Sequence, residues 1–100
     1  MTRRLVVANA AEADILHSFL WCEDQVHGLG ARFIAEVEAT FKRLVDNPEL
    51  YEEVEPGIRR AIVQKFPWLA FYACDDNAVT ILAVLHAAQD PDYIAQRLTT

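Results

Sequence analysis

The sequence predicts an α+β fold in which a helical hairpin packs on one face of a mainly antiparallel sheet. Residues 10–46 carry apolar side chains at spacings of three and four, which is typical of amphipathic helices. Residues 58–86 are rich in Ile, Val, Phe, Tyr and Trp and are interrupted by turn-forming residues, which is typical of strands. Helices followed by strands indicate the α+β class, and 100 residues are enough for one domain, 1–100, with one core.

A short strand at Leu5–Val7 precedes the first predicted helix, which runs from about Ala10 to Val26. Asn9 is the predicted N-cap, and Glu12, three residues later, would complete a capping box. Gly28 is expected to close this helix because glycine takes the left-handed conformation that other residues resist.

The second predicted helix ends at Asp46, because the residue before Pro48 is pushed out of the helical region. We expect the two helices to form an antiparallel pair. The spacing of their apolar residues predicts a buried stripe on each helix, facing the other helix: Leu16, Leu20, Ile34, Val37 and Phe41.

Three strands and a short helix follow an acidic connector at residues 49–57. The turn Asp75-Asp76-Asn77 predicts a hairpin between the last two strands. Asp90 offers an N-cap and Pro91 suits the first turn of a helix that runs through Arg97. The predicted order is β-α-α-β-β-β-α, with strands at Ile58–Phe66, Trp68–Cys74 and Val79–His86.

The charge pattern argues against tight binding to nucleic acid. The net charge is −6, and residues 5–56 contain eleven of the fifteen acids but only three of the nine bases. Nucleic-acid binders usually carry a basic stripe that displaces counterions from phosphates, and this sequence has none. The apolar stretch 78–88 is too short to span a bilayer, and the run Leu5–Val7 is too short for a signal peptide. We expect a cytoplasmic protein that does not contact the membrane.

Several local motifs, in order and at compatible spacing, resemble those of the RelE/ParE toxin superfamily. Residues 28–33, Gly-Leu-Gly-Ala-Arg-Phe, are similar to the family's helix–helix corner, and Asn47-Pro48 to its helix stop. Residues 58–60 resemble the opening of its second strand. Lys65-Phe66-Pro67-Trp68 with Tyr72 resembles its strand motif KFPY…Y, and residues 83–86 followed by Asp90-Pro91 resemble its last strand and exit. The match covers about residues 8 to 97.

The resemblance implies a toxin that is neutralised by a cognate antitoxin, a segment of which wraps around it. RelE-like members cleave messenger RNA in the ribosome, whereas ParE-like members inhibit DNA gyrase and are not known to catalyse a reaction. Fold alone does not choose between the two.

RNA cleavage would need a base, an acid and a cluster of cations, and four residues are candidates: His86, Arg59, Lys65 and Arg97. His86 ends the last strand at a position that matches the family. Arg59 and Lys65 share a strand face but lie about 20 Å apart, too far to bind one phosphate. Many relatives carry Arg or Lys after the position of His86, where this chain has Ala87, Ala88 and Gln89. This departure disfavours a nuclease.

The sequence predicts no cofactor and no metal. His17 and His27 are ten residues apart without a third ligand, and the carboxylates of Glu52, Glu53 and Glu55 lack a calcium loop. Cys22 and Cys74 have no metal-binding or redox spacing and are expected to be small buried side chains.

The preferred hypothesis is therefore a ParE-like binding toxin, with a cognate antitoxin as one partner and DNA gyrase as a possible target. One alternative is a RelE-like, ribosome-dependent endoribonuclease. Another is an attenuated module that binds an antitoxin without being toxic. We expect the antitoxin to cover the sheet face opposite the hairpin and a strand edge.

Overall fold

The computed structural model describes residues 3–99 and confirms the α+β class and the predicted order of elements. One short strand is added within the segment predicted as a connector. The elements are β1 (Arg4–Val7), α1 (Asn9–Gln25), α2 (Leu29–Asp46), a 3-10 turn (Pro48–Leu50), β2 (Glu53–Glu55), β3 (Ile58–Val63), β4 (Trp68–Cys74), β5 (Ala78–His86) and α3 (Pro91–Thr99).

The sheet has the order β1-β5-β4-β3-β2 and is antiparallel except at one edge, where β1 runs parallel to β5. The β4–β5 hairpin turns as predicted, because the Asp75 carboxylate accepts hydrogen bonds from the backbone amides of Asn77 and Ala78. These bonds hold the pKa of Asp75 below its ordinary value. Asp90 likewise caps α3 by accepting from the amide of Asp92.

A β-bulge in β5 redirects the side chains of its second half. Phe71 pairs with Ala83, whereas the next residue of β4, Tyr72, pairs with Ile81, so Leu82 is an extra residue. An extra residue reverses the alternation of side chains. Ile81 therefore packs in the core under α1 and α2, and Ala83 packs in a second core on the opposite face.

The two faces of the sheet carry different cores. The larger core lies under the helical hairpin and is centred on the buried residues Phe33, Val37, Leu44, Tyr72, Val79 and Ile81. The smaller core consists of Phe71, Ala83 and Leu85, against which Ile94 and Leu98 of α3 pack. The predicted burial of Val37 and Phe41 is confirmed, and Ile34 is partly buried against the larger core.

The predicted burial of Leu16 and Leu20 is wrong. These side chains are 59% and 56% exposed, whereas α1 packs on the core through Ala11, Ile15 and Cys22. Apolar residues surround most of α1, so more than one stripe shows helical spacing and periodicity does not decide which one is buried.

The predicted capping box is also wrong. Asn9 is the first residue of α1, and Ala8 occupies the N-cap position without a side-chain hydrogen bond. The prediction for Gly28 is confirmed in its conformation, with φ of 89°, although Gly28 is the N-cap of α2 and α1 already ends at Gln25. Glu23 organises this corner by accepting hydrogen bonds from the amides of Gly28 and Gly30. The same bonds hold the pKa of Glu23 below its ordinary value.

Candidate functional site

A cavity of about 550 Å³ opens between α1, the carboxyl end of β5 and the start of α3. Its volume is in the range of small-molecule and side-chain binding pockets. Its lining is mixed, with aromatic rings beside polar and titratable groups: Asp14, His17, Ser18, Trp21, Trp68, Val84, Leu85, His86, Ala88, Gln89 and Tyr93.

Trp68 holds the aromatic wall of this cavity in place. Its indole N–H donates to the Ser18 hydroxyl at 2.9 Å, and both residues are buried. Trp21 packs against Trp68 with ring centroids 5.9 Å apart, yet Trp21 remains 50% exposed. The cavity therefore has a fixed aromatic floor and a half-exposed aromatic rim.

His86 lines the cavity and contacts the Trp68 ring edge-to-face, with a centroid distance of 4.6 Å. Its Nδ1 accepts a hydrogen bond of 3.0 Å from the amide of Ala88. In this geometry Nδ1 carries no proton, so the neutral ring carries its proton on Nε2. The imidazole thus fixes the turn after β5, as expected for a structural role, while Nε2 remains as a donor.

Arg97 is bound to Asp14 of α1 rather than aimed into the cavity. Its two terminal nitrogens lie 2.9 and 2.8 Å from the two carboxylate oxygens, and the side chains are 19% and 12% exposed. These hydrogen bonds hold the pKa of Arg97 above its ordinary value. Arg97 also donates to the Tyr93 hydroxyl at 3.2 Å.

The same carboxylate completes the edge of β5. β1 pairs with β5 only as far as Val7 and Ile81. Beyond this point the amide of Val84 donates to Asp14 Oδ2 at 3.1 Å. Asp14 therefore joins α1, β5 and α3 at one point. No local motif predicts this junction, because the three elements are remote from one another in the chain.

Arg59 lies at the opposite end of the sheet from His86. The strand register pairs Arg59 with Tyr72, and Tyr72 with Ile81, whereas His86 pairs with Trp68. The guanidinium of Arg59 donates to the carbonyl of Tyr51 at 2.6 Å and so fixes the segment before β2.

Tyr72 fixes the same region by donating from its hydroxyl to the carbonyl of Pro48 at 2.5 Å. Burial raises the pKa of Tyr72 to about 12, and the nearby positive charge of Arg59 offsets part of that rise. Arg59 and Tyr72 together support the acidic segment after α2.

Lys65 lies in the turn between β3 and β4, with φ of 69°, and its ammonium is 3.6 Å from a carboxylate oxygen of Glu36 on α2. Of the four candidates, His86 and Arg97 lie in the same region. His86 lines the cavity, and Arg97 is paired with Asp14, which also lines it. Arg59 and Lys65 lie elsewhere. Sequence reasoning missed Asp14, Trp21 and Tyr93 as neighbours of His86, because no motif links these residues.

Solved structures of two toxin–antitoxin systems have this fold. The chromosomal ParDE system from P. aeruginosa matches with a TM-score of 0.75 at 17% identity, covering 85% of this chain and 96% of that one. The E. coli DinJ-YafQ toxin-antitoxin complex contains a chain that matches with a TM-score of 0.59 at 14% identity, covering 88% and 96%. Chains of these two structures therefore share the α+β fold of this protein.

The sequence comparisons identify the family. The family model for the ParE toxin of the type II toxin-antitoxin system parDE matches residues 5–91. Toxin ParE2 from two strains of Mycobacterium tuberculosis is 29% identical over 103 aligned residues, covering 99% of this chain and 95% of that protein. The chain belongs to the ParE toxin family of type II toxin-antitoxin systems. Within residues 3–99, no helix is long and apolar enough to cross a membrane.

Proposed function

We propose that this chain arrests growth by binding a protein target such as DNA gyrase, and that a cognate antitoxin neutralises it. The family match over residues 5–91 carries this proposal. The three candidate cations each have a partner within the protein, which supports a binding mechanism over catalysis. Arg59 binds a backbone carbonyl, Lys65 pairs with Glu36, and Arg97 is held by Asp14. A phosphoryl-transfer site needs several cations aimed at one phosphate.

Exposed apolar side chains provide what a binding toxin needs. Leu16, Leu20 and Trp21 are each at least half exposed on α1, and Ile62 is 64% exposed on the sheet. Large apolar and aromatic side chains supply most of the binding free energy at protein interfaces. The protein therefore has anchors for partners that do not depend on an active site.

The relatives support an antitoxin as partner. One matching structure is described as a ParDE toxin-antitoxin system and the other as a toxin-antitoxin complex. By extension, we propose that this chain also forms such a complex. The sheet face expected to receive the antitoxin is already partly covered by Ile94 and Leu98 of α3.

The alternative activity is that of a ribosome-dependent endoribonuclease. One observation favours it, since His86 and Tyr93 line the same cavity and could exchange protons with a bound nucleotide. A protein that binds antitoxin but is not toxic is the third outcome.

Expression of the chain from an inducible promoter separates these activities. We expect growth arrest, loss of negative supercoiling in a reporter plasmid, and intact messenger RNA. Coexpression of the protein encoded beside this chain should restore growth. Arrest with cleaved messages would support the endoribonuclease, and normal growth with a stable complex would support the attenuated module.

A further inference from the structure

A second cavity, of about 310 Å³, lies on the sheet face opposite α1 and α2. We call it the sheet groove. Its floor is formed by Leu69 and Phe71 of β4, one wall by Ile94 and Leu98 of α3, and the other wall by β2 and β3, where Val54 contributes an apolar side chain. A concave, mainly apolar lining of this kind is typical of sites that receive apolar groups.

The groove exists because α3 covers only part of this sheet face. Ile94 and Leu98 pack against the smaller core, and no residue of α3 is itself buried. Ile62 of β3 is 64% exposed, and it lies directly opposite Leu69 in the β3–β4 register. Directly opposite residues of antiparallel strands point to the same face. Ile62 therefore extends the apolar surface of the groove along β3.

The β2 side of the groove is negatively charged. Residues 46–55 contain five acidic residues and no basic one. Glu55 lines the groove, and Glu52 pairs with Arg60 of the adjacent strand at 3.1 Å. In the described part of the chain, neither Glu53 nor Glu55 forms an ion pair. This rim of the groove therefore keeps a surplus of negative charge.

The combination fits a protein that presents an apolar side chain beside Lys or Arg, because complementary charges around an apolar anchor favour association. Nucleic acid itself is unsuitable, since the rim would repel its phosphates. A second copy of this chain is also unsuitable, because a symmetric contact brings equivalent carboxylates together and each copy has a net charge of −6. Proteins that act on nucleic acids carry basic surfaces, and DNA gyrase, the proposed target, acts on DNA.

We propose that the sheet groove and the exposed Ile62 form the surface with which this toxin binds its target, by receiving an apolar side chain that lies beside a basic patch of the target. The identity of the target rests on the proposed function, whereas the groove and its chemistry rest on the structure. The exposed side chains of α1 lie on the other side of the sheet, so this mode of binding does not use them.

Binding of purified DNA gyrase to the immobilised chain tests the apolar part of the surface. Ile62→Lys should weaken binding about tenfold or more, because it removes an apolar anchor and adds a charge that a basic partner repels. Val26→Lys is the matched control, since Val26 is 60% exposed at the end of α1 and the variant gains the same charge. It should leave affinity within about twofold. Both side chains are exposed, so both variants should keep a Tm close to that of the unmodified chain.

Charge reversal tests the rim. Glu55→Lys should weaken binding about threefold or more in low salt, and the effect should shrink in high salt because exposed charges are screened. Glu38→Lys on α2 changes the net charge equally at an exposed position away from the groove, and it should have little effect. Equal effects of Ile62→Lys and Val26→Lys, or of the two charge reversals, would overturn the proposal.

A synthetic peptide separates the groove from the identity of the target. The probe has the sequence Leu-Phe-Leu flanked by Lys on both sides, and its control has Glu in place of Lys. The Lys peptide should bind Ile62→Lys at least about fivefold more weakly than Val26→Lys, and the Glu peptide should bind the unmodified chain at least about tenfold more weakly than the Lys peptide. Equal binding in either comparison would overturn the proposal. If gyrase does not bind the unmodified chain while the peptides behave as expected, the proposed target is refuted and the chemistry of the groove is supported.

Coexpression with the antitoxin identifies the occupant in the cell. Ile62→Lys should lose toxicity, whereas Val26→Lys should arrest growth and be neutralised. If Ile62→Lys still arrested growth but escaped neutralisation, the antitoxin would be the occupant of the groove and the proposal would be overturned. Sedimentation of the chain alone should show a monomer, and a dimer abolished by Ile62→Lys would overturn it in favour of a second copy.

Discussion

Replacing Arg97 with Ala should destabilise the protein strongly, because Arg97 joins α3 to α1. The substitution removes two hydrogen bonds of 2.9 and 2.8 Å and leaves the Asp14 carboxylate, only 12% exposed, with the amide of Val84 as a remaining donor. Breaking a fully buried ion pair costs about 3–5 kcal/mol, whereas exposed pairs contribute about 0–1 kcal/mol. The partial exposure of both side chains places the expected loss at about 2–4 kcal/mol.

Urea unfolding followed by the fluorescence of Trp21 and Trp68 measures this loss. In thermal unfolding, a loss of this size should lower the Tm of a 100-residue domain by roughly 10–20 °C. Asp14→Ala should cost a similar amount, and the double variant should cost less than the sum of the two, with a coupling of roughly 1–3 kcal/mol.

Arg60→Ala is the matched control, because Arg60 pairs with Glu52 at 3.1 Å in a solvent-exposed bridge with 41% and 71% exposure. It should cost no more than about 1 kcal/mol. If Arg97→Ala and Arg60→Ala had the same small effect, the structural role of Arg97 would be refuted. Arg97 would then have to be reconsidered as part of a reactive site.

Three further substitutions test the core, the helix corner and a buried hydroxyl. Phe41→Ala should cost about 3–5 kcal/mol of unfolding free energy in urea, and near-neutral stability would mean that α2 buries another face. Gly30→Ala should destabilise by about 1–3 kcal/mol, although alanine normally favours a helix, because its Cβ would lie 2.7 Å from the Phe19 ring; a higher Tm would refute the close contact. The raised pKa of Tyr72 makes the folded state lose stability as pH rises from about 10, its ordinary pKa, through about 12, so Tyr72→Phe should flatten the pH profile there. An unchanged profile in Tyr72→Phe would contradict this.

The sequence predicted the elements of the fold because their signals are local. The stop at Asn47-Pro48, the left-handed Gly28 and the carboxylate turn at Asp75 all depend on neighbouring residues, and all three are confirmed. The prediction of which face of α1 is buried was wrong. Leu16 and Leu20 have the same helical spacing as Ala11 and Ile15, and only tertiary packing decides which pair is buried.

The candidate site was less accessible to sequence reasoning. The sequence identified His86 as a candidate site residue because it ends a strand in a motif that resembles the family's. Its neighbours Asp14, Trp21 and Tyr93 come from two helices at opposite ends of the chain. The bulge at Leu82, which divides β5 between two cores, also has no local signal, because no Gly or turn residue accompanies it. Long-range packing determines both features.

A supercoiling assay with purified protein tests the central claim most directly. The chain is added to DNA gyrase and relaxed plasmid, and in parallel to a translation system in which message length is followed. We predict that supercoiling stops while messages stay intact, and that His86→Ala retains this inhibition, because His86 contacts Trp68 and Ala88 in a structural role. Cleavage of ribosome-bound message by the unmodified chain, lost in His86→Ala, would contradict the account and establish an endoribonuclease.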